Sequence, residues 1–479
     1  NVVMENESMQ PQTPKTISPT SGVPQSKKKL SLFMLAMMNT AVVVGLEGLP
    51  EIGGFGLSLI FYYAIFTIIY FLPVGLVSAE LGVGWPGEGG VYRWVKEAIG
   101  ERMAFLAVWC QWLQIIVWYP TVLAVCAVSA AYIFDPTFGE KAWFVILVSL
   151  FVFWFATIIN FKGIHESGWI TSALLIVGTL IPVFAAIGLA IWWVSSGRPS
   201  SMPLEAANII PDISSIGQFV GVLAIFSFLS GLEVNSVHFR NAKNPQRDIP
   251  WSLLISGVLV LSVSILGALS ISVLIPVETI NLASGTLQVF EKVFCELGVS
   301  WLLPVIASCA LLGMVGHIMI WVIGPTESLR VAAKDGLIPK TFQKMTKGGA
   351  PRNVMLLQAV IVSIICTLGM LIDLNTIFYV LTVISAQIYL VMYALMFLSV
   401  IVLRITRPNQ ERSFKIPGGT IGLWLVAGTG LLASVLGICF MFVPPEMKEV
   451  VVNKELFTIT TLIAFTIVII IPFILYKRL

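Results

Sequence analysis

Apolar residues gather along this chain into stretches of about 20, the length an α-helix needs to cross the hydrocarbon core of a bilayer. Twelve stretches are predicted, at approximately 31–54, 57–81, 103–133, 142–161, 169–196, 216–239, 251–275, 301–331, 354–372, 375–403, 420–443 and 457–476. Connectors bearing Gly, Pro or charge separate most of them, while spans 1 and 2, and spans 9 and 10, are joined by very short turns. The pattern predicts an all-α integral membrane protein with twelve transmembrane spans.

Composition agrees. Of 479 residues, 57% are hydrophobic and 11% charged, and the mean hydropathy is +0.93. A soluble domain carries roughly 25% charged residues, so this chain has less than half the charge needed to cover a water-facing surface. Residues 1–28 are the exception: polar, rich in Pro, Ser and Thr and without an apolar core, they read as a disordered tail and not as a signal peptide. Five of the six cysteines fall in apolar runs and Cys295 falls in a loop. No Cys/His spacing suggests a metal or a disulfide framework, and no cofactor is expected.

Charge sets the expected orientation. With the N-terminus in the cytoplasm and spans alternating, the outside segments hold only Lys141, Arg198, Lys292, Lys448 and Lys454, and the other 23 of the 28 basic residues lie inside. That is the positive-inside bias, and it places both termini in the cytoplasm. The basic loop from Arg330 to Arg352 belongs to the same bias and not to nucleic-acid binding.

Two spans do not read as simple helices. Span 1 contains Gly45-Leu46-Glu47-Gly48-Leu49-Pro50-Glu51, where Gly and Pro weaken the helix and carboxylates sit in an apolar run. Two readings are open: Gly48 to Pro50 ends the helix at the surface, or the helix breaks at mid-membrane. Span 6 favours the second, because Ser230, Gly231 and Glu233 stand together late in its apolar stretch. Spans 1 and 6 are five apart, hence equivalent if spans 1–5 and 6–10 are repeats, and paired interruptions of this kind point to a transporter binding site. Facing breaks offer bare N–H groups to a carboxylate and bare carbonyls to an ammonium, the two charges of an α-amino acid.

Span 8 adds His317 and Trp321, four apart and so on one helical face. An intramembrane ionisable residue is a functional candidate; a neutral core histidine is the alternative. Span 10 adds Tyr389 and Tyr393 at the same spacing, which also suits plain packing, with Ser385 a turn earlier and Gln387 on another face. Span 3 carries Gln111, Gln114 and Tyr119 in a Trp-rich stretch. The candidate substrate-binding residues are thus Gly45, Glu47, Gly48, Leu49, Ser230, Gly231, Glu233, His317, Trp321, Tyr389 and Tyr393. No phosphate loop, repeated selectivity filter or nucleophile-plus-base constellation is present, so an ATP-driven pump, that class of channel and a membrane enzyme are not indicated, and no catalytic residue is expected.

Several motifs in order resemble one transporter family. Phe226-x-Phe228-x-x-Gly231-x-Glu233 followed by Asn244-Pro245-x-Arg247-x-x-Pro250, then Arg330-Val331-Ala332-Ala333-Lys334-Asp335-Gly336, and Glu80 with Gly87-Glu88-Gly89-Gly90-Val91-Tyr92, are similar to the signatures of the amino acid–polyamine–organocation transporters. Phe71-Leu72-Pro73-Val74-Gly75-Leu76, Gly231-Leu232-Glu233 with His238, Trp321-Val322-Ile323-Gly324-Pro325 and Phe414-Lys415-Ile416-Pro417-Gly418-Gly419 resemble its bacterial glutamate/γ-aminobutyrate antiporter branch. The resemblance implies a leucine-transporter-like fold of two inverted five-span repeats plus two extra helices. It implies substrate held at the breaks of spans 1 and 6, with Trp321, Tyr389 and Tyr393 lining or gating the pocket. That branch carries an acidic residue where this chain has His317, and a longer basic C-terminal tail.

The expectations are therefore a cytoplasmic tail over 1–28, a ten-span inverted-repeat core over 29–404, and two further spans with a short cytoplasmic C-terminus over 405–479. The expected function is amino-acid exchange by alternating access in the bacterial inner membrane. Its partners are a small-molecule amino acid and the lipid bilayer, with no nucleic acid. Proton-coupled symport and a non-transporting amino-acid sensor are the alternatives. In proton-coupled relatives a span-5 lysine can stand where sodium binds in others; span 5 here offers Thr171 and Ser172 and no lysine, which favours exchange. A protonated His317 would make transport pH-dependent or favour an anionic side chain.

Overall fold

The computed structural model describes residues 29–162, 168–211, 216–235, 239, 242–369, 374–445 and 453–478. The expected tail 1–28, and His238, lie outside the described residues. In chain order the helices are α1 (Leu32–Val43), α2 (Leu49–Gly53), α3 (Ser58–Gly84), α4 (Val91–Ile99), α5 (Glu101–Phe134), α6 (Ala142–Asn160), α7 (Ser172–Ser195) and the interrupted α8 (Phe219–Asn235). There follow α9 (Pro245–Leu274), α10 (Gly285–Leu297), α11 (Ser300–Lys334), α12 (Arg352–Gly369), α13 (Leu374–Thr406), α14 (Gly419–Phe440) and α15 (Lys454–Arg478). Among the described residues ten are long and apolar enough to cross a membrane: α3, α5, α6, α7, α9 and α11 to α15. The two shorter apolar helices, α1 and α8, stand where spans 1 and 6 were expected.

Helices α4 and α10 had no counterpart in the apolar pattern because half of each is polar. In α10, Leu287, Phe290 and Val293 are buried while Glu291, Cys295 and Glu296 face outward. Cys295, expected in a loop, is therefore on a helix.

Two of the long helices widen into a π turn just ahead of a proline. Thr67–Phe71 precedes Pro73 in α3, and Ile176–Leu180 precedes Pro182 in α7. A proline lacks the N–H that would bond four residues back and crowds that carbonyl, and a single wide turn accommodates both defects.

The 34-residue α5 packs against α11 and α13, and α1 lies along α9. Large apolar side chains such as Ile68, Phe151, Ile191, Leu432 and Ile463 face outward, whereas Glu47, Glu80, Glu233, His317 and Arg412 are buried. In water that arrangement would leave apolar patches far beyond the few hundred Å² a soluble monomer exposes. In lipid it is the stable one, since polar groups must find their partners inside the protein.

At the basic end of the bundle, ion pairs tie the helices together. Glu80 of α3, fully buried, accepts Arg404 Nε at 2.5 Å and Nη2 at 2.6 Å and the Ile416 N–H at 2.8 Å. Arg412 stands 3.4 Å from the same carboxylate and lies over the Trp85 ring. Nearby, Glu88 binds Lys334 at 2.6 Å and Arg330 at 3.2 Å, and Asp335 binds Lys96 at 2.7 Å and the Tyr92 hydroxyl at 2.6 Å. The hydrogen bond and charge of Lys334, with Arg330 beside it, hold the Glu88 carboxyl below the usual range. Burial pushes Asp335 up, but the bonds from Lys96 and Tyr92 and the charge of Lys96 outweigh it and hold that carboxyl below its usual range too.

Candidate functional site

The site begins where α1 stops. Val44 takes up extended backbone (φ −87°, ψ 119°), its N–H closing on Thr40 O, and the helix restarts only at Leu49, with Pro50 in the first turn where no donor is required. The Val42 carbonyl, freed from helical pairing, accepts the Trp321 indole N–H at 3.1 Å.

A second interruption lies opposite, inside α8. Helical geometry is lost over Leu229 to Gly231, and Gly231 sits at φ 116°, a conformation a residue with a Cβ rarely adopts. A Cβ there would also come within 2.8 Å of Trp321. The Gly231 N–H, turned out of the helix, donates to the Tyr393 hydroxyl at 2.7 Å.

Glu233, 1% exposed, is held just past this break. The hydroxyls of Tyr389 and Tyr393 donate to its two carboxylate oxygens, the latter at 2.5 Å, and Gln111 Nε2 approaches at 3.4 Å. The π turn in α3 brings in Tyr70, which shares a 2.8 Å hydrogen bond with Ser230 Oγ and packs edge-on against Tyr393.

Between the interruptions lies a cavity of ≈ 30 Å³, enough for about two water molecules. Of the residues expected from sequence, Gly45, Glu47, Gly48, Leu49, Ser230, His317, Trp321 and Tyr389 line it. Gly231, Glu233 and Tyr393 do not; they stand behind Ser230 and Tyr389 and brace them. Ser385 and Gln387 are bonded elsewhere, to the carbonyls of Gln114 and Ile438. Gln114 reaches the cavity, as do Tyr63, Trp118, Phe228 and Ser264. The last four gave no signal in sequence beyond the Trp-rich character of span 3 and the Phe228 motif position.

His317 has a defined role in the geometry. Trp321 Nε1–H donates to its Nε2 at 2.9 Å. An indole nitrogen can only donate, so Nε2 presents a lone pair and the imidazole, with its proton on Nδ1, is neutral. An imidazolium, a donor at both nitrogens, could not accept this bond. The expectation that a charged His317 attracts an anionic side chain is therefore at odds with the arrangement.

The family profile described as Amino acid permease matches residues 30–473. An uncharacterized transporter of Legionella pneumophila is 35% identical over 446 residues, 92% of this chain and 96% of that protein. A glutamate/gamma-aminobutyrate antiporter of Lactococcus lactis is 28% identical over 461 residues, 94% of this chain and 91% of that one. Among solved structures, MhsT in complex with L-phenylalanine superposes with a TM-score of 0.61 at 12% identity, covering 87% of this chain and all of that one. At that identity the likeness is one of fold, a leucine-transporter-like one.

Proposed function

The chain belongs to the amino acid permease family, a family of multi-pass membrane transporters and not of enzymes, and we propose from that premise that it is an amino-acid exchanger working by alternating access. In this reading 29–404 is a core of two inverted five-span repeats, with α1–α2 and α8 as the equivalent broken members, and 405–479 adds two spans. The full count is twelve. Both termini lie in the cytoplasm of a bacterial cell, and the basic end of the bundle is the cytoplasmic one.

One observation carries the reading: two helices lose their winding at facing positions beside a buried cavity, leaving the Val42 carbonyl and the Gly231 N–H to side chains of α11 and α13. Backbone of this kind at membrane depth is tolerated where it is buried in protein or lines a wet cavity, and it is the arrangement expected of a midplane substrate site. Gly45, Glu47, Gly48, Leu49, Ser230, Gly231, Glu233, His317, Trp321, Tyr389 and Tyr393 form the site and its gate. A cavity of ≈ 30 Å³ has to widen before an amino acid enters, and the lever is movement of the Tyr389 and Trp321 rings away from the α8 break. The resemblance of the chain to glutamate/gamma-aminobutyrate antiporters supports exchange over net uptake.

The test is flux into proteoliposomes, with and without amino acid inside. Exchange requires uptake of labelled amino acid to depend on internal amino acid. Uptake into vesicles without internal amino acid, driven by a pH gradient alone, would establish proton symport instead. That second reading draws support from the buried Glu47 carboxylate at the cavity wall, a group able to carry a proton.

A further inference from the structure

The chemistry of the cavity wall narrows the substrate. Three buried side chains that line it have a polar atom with no hydrogen-bond partner: Glu47 Oε2, Gln114 Oε1 and His317 Nδ1. Glu47 is 4% exposed, and a Cβ on Gly45 would overlap its carboxyl group, so the glycine is what leaves room for the carboxyl beside the break. Among the described residues no lysine or arginine lines the cavity. His317 is neutral by its bond from Trp321, and Glu233 is already bound by two tyrosines. The wall therefore offers one carboxylate with unspent capacity, an amide oxygen, the neutral Nδ1–H donor of His317, and no charged group to counter the carboxylate.

The rest of the wall is aromatic. Trp118 lies 5.9 Å from Trp321, and Trp321 lies 6.3 Å from Tyr389, centroid to centroid and tilted or edge-on to each other, with Tyr63 and Phe228 completing the enclosure. Rings around a buried acid form a cage for a cation: the faces attract positive charge, and a carboxylate in low dielectric is costly until it is paired. A second anion placed there would raise that cost.

We infer that Glu47 is the specificity-determining residue of this cavity and selects substrates bearing a cationic amine in addition to the α-ammonium position, either a basic amino acid or an aliphatic diamine. This rests on the transporter reading of the site and sharpens it, turning the expected substrate away from anionic amino acids.

Full-length protein in liposomes is assayed for exchange of L-ornithine, putrescine, L-glutamate and L-norvaline, which is ornithine without its terminal amine. Binding of the same probes is followed by thermal shift in detergent. The expected result is a preference of about 10-fold or more for ornithine or putrescine over norvaline and glutamate. That preference falls to near parity in Glu47→Gln and is kept in Glu47→Asp, which guards against a merely misfolded variant. Ornithine alone among the cations would identify a basic amino acid, putrescine alone a diamine. Preference for norvaline or glutamate, or a cation preference that persists in folded Glu47→Gln, overturns the inference and leaves the transporter reading standing. Neither binding nor exchange of ornithine and putrescine overturns the inference, while the transporter reading is decided separately by the wider amino-acid flux test above.

Discussion

Trp321 donates its indole N–H to Nε2 of His317 one turn before it on α11, at 2.9 Å, and shares the same proton with the Val42 carbonyl across the bundle. One donor thus serves a side chain on its own helix and a carbonyl exposed by the break in another. The two substitutions that cut this bond should not be equivalent. Trp321→Phe strands both acceptors, and a buried acceptor without a donor costs about 1–3 kcal/mol. His317→Leu leaves the indole its bond to Val42 and should cost less on this account. Unfolding of the purified variants measures the difference, and equal losses would mean that the shared bond does not hold the break.

Tyr393 makes two hydrogen bonds at the second break where Tyr389 makes one. It accepts from the Gly231 N–H at 2.7 Å and donates to Glu233 at 2.5 Å, whereas Tyr389 only donates to Glu233. Tyr393→Phe should therefore destabilise more than Tyr389→Phe, the excess being about one further buried hydrogen bond, 1–3 kcal/mol. For flux the order reverses, because Tyr389 lines the cavity and Tyr393 does not. A Tyr389→Phe protein with unaltered substrate affinity would count against its place in the gate.

The sequence carried much of this architecture and little of its wiring. Apolar runs located α3, α5, α6 and their like because a span needs a fixed length of apolar chain, and Gly48, Pro50 and Gly231 marked the interruptions because helices tolerate them poorly. Helices α4 and α10 escaped, since a short helix that buries one face and leaves the other polar leaves no long apolar run. Tyr70, Tyr63 and Ser264 escaped for another reason: Tyr70 meets Ser230 160 residues away in sequence, and nothing in a single chain announces such a pairing. The i, i+4 spacing of Tyr389 and Tyr393 put them on one face, yet only packing decides that one lines the cavity and the other braces Glu233.

The carboxylates at the basic end make a pH prediction with a definite sign. Both Glu88 and Asp335 are held below their usual values in the folded protein, so each contributes stability that is fully present above the ordinary value of an unfolded Glu or Asp, about 4.3 and 3.9. That contribution is lost as pH falls through the lower folded values. Comparison of the protein with Glu88→Gln/Asp335→Asn should show a gap in melting temperature at pH 7 that closes below about pH 4. Salt should narrow it as well, since both groups are part-exposed and screened. A gap that stays constant down to pH 3 would show that these bonds add nothing as charges.

Glu80 and Arg404 pose the sharpest test of how the bundle is held, because Glu80 is fully buried while Arg404 meets it with both arms of its guanidinium. Removing one partner of such a pair leaves a charge inside, at a cost of about 3–5 kcal/mol, whereas replacing both by uncharged residues of similar shape is often neutral. Arg404→Leu alone should be severely destabilised, with Arg412 at 3.4 Å relieving only part of the loss. Arg404→Lys should not rescue it, because a single ammonium cannot reproduce the two parallel bonds. Glu80→Gln in the Arg404→Leu background should restore a large part of the stability, although the glutamine must still take the Ile416 N–H that Glu80 now accepts at 2.8 Å. Thermal unfolding followed by size-exclusion chromatography ranks the four proteins. If the double variant proves no more stable than Arg404→Leu, the pair is holding geometry through its backbone contacts, and the charge on Glu80 is not what the arginine is there to neutralise.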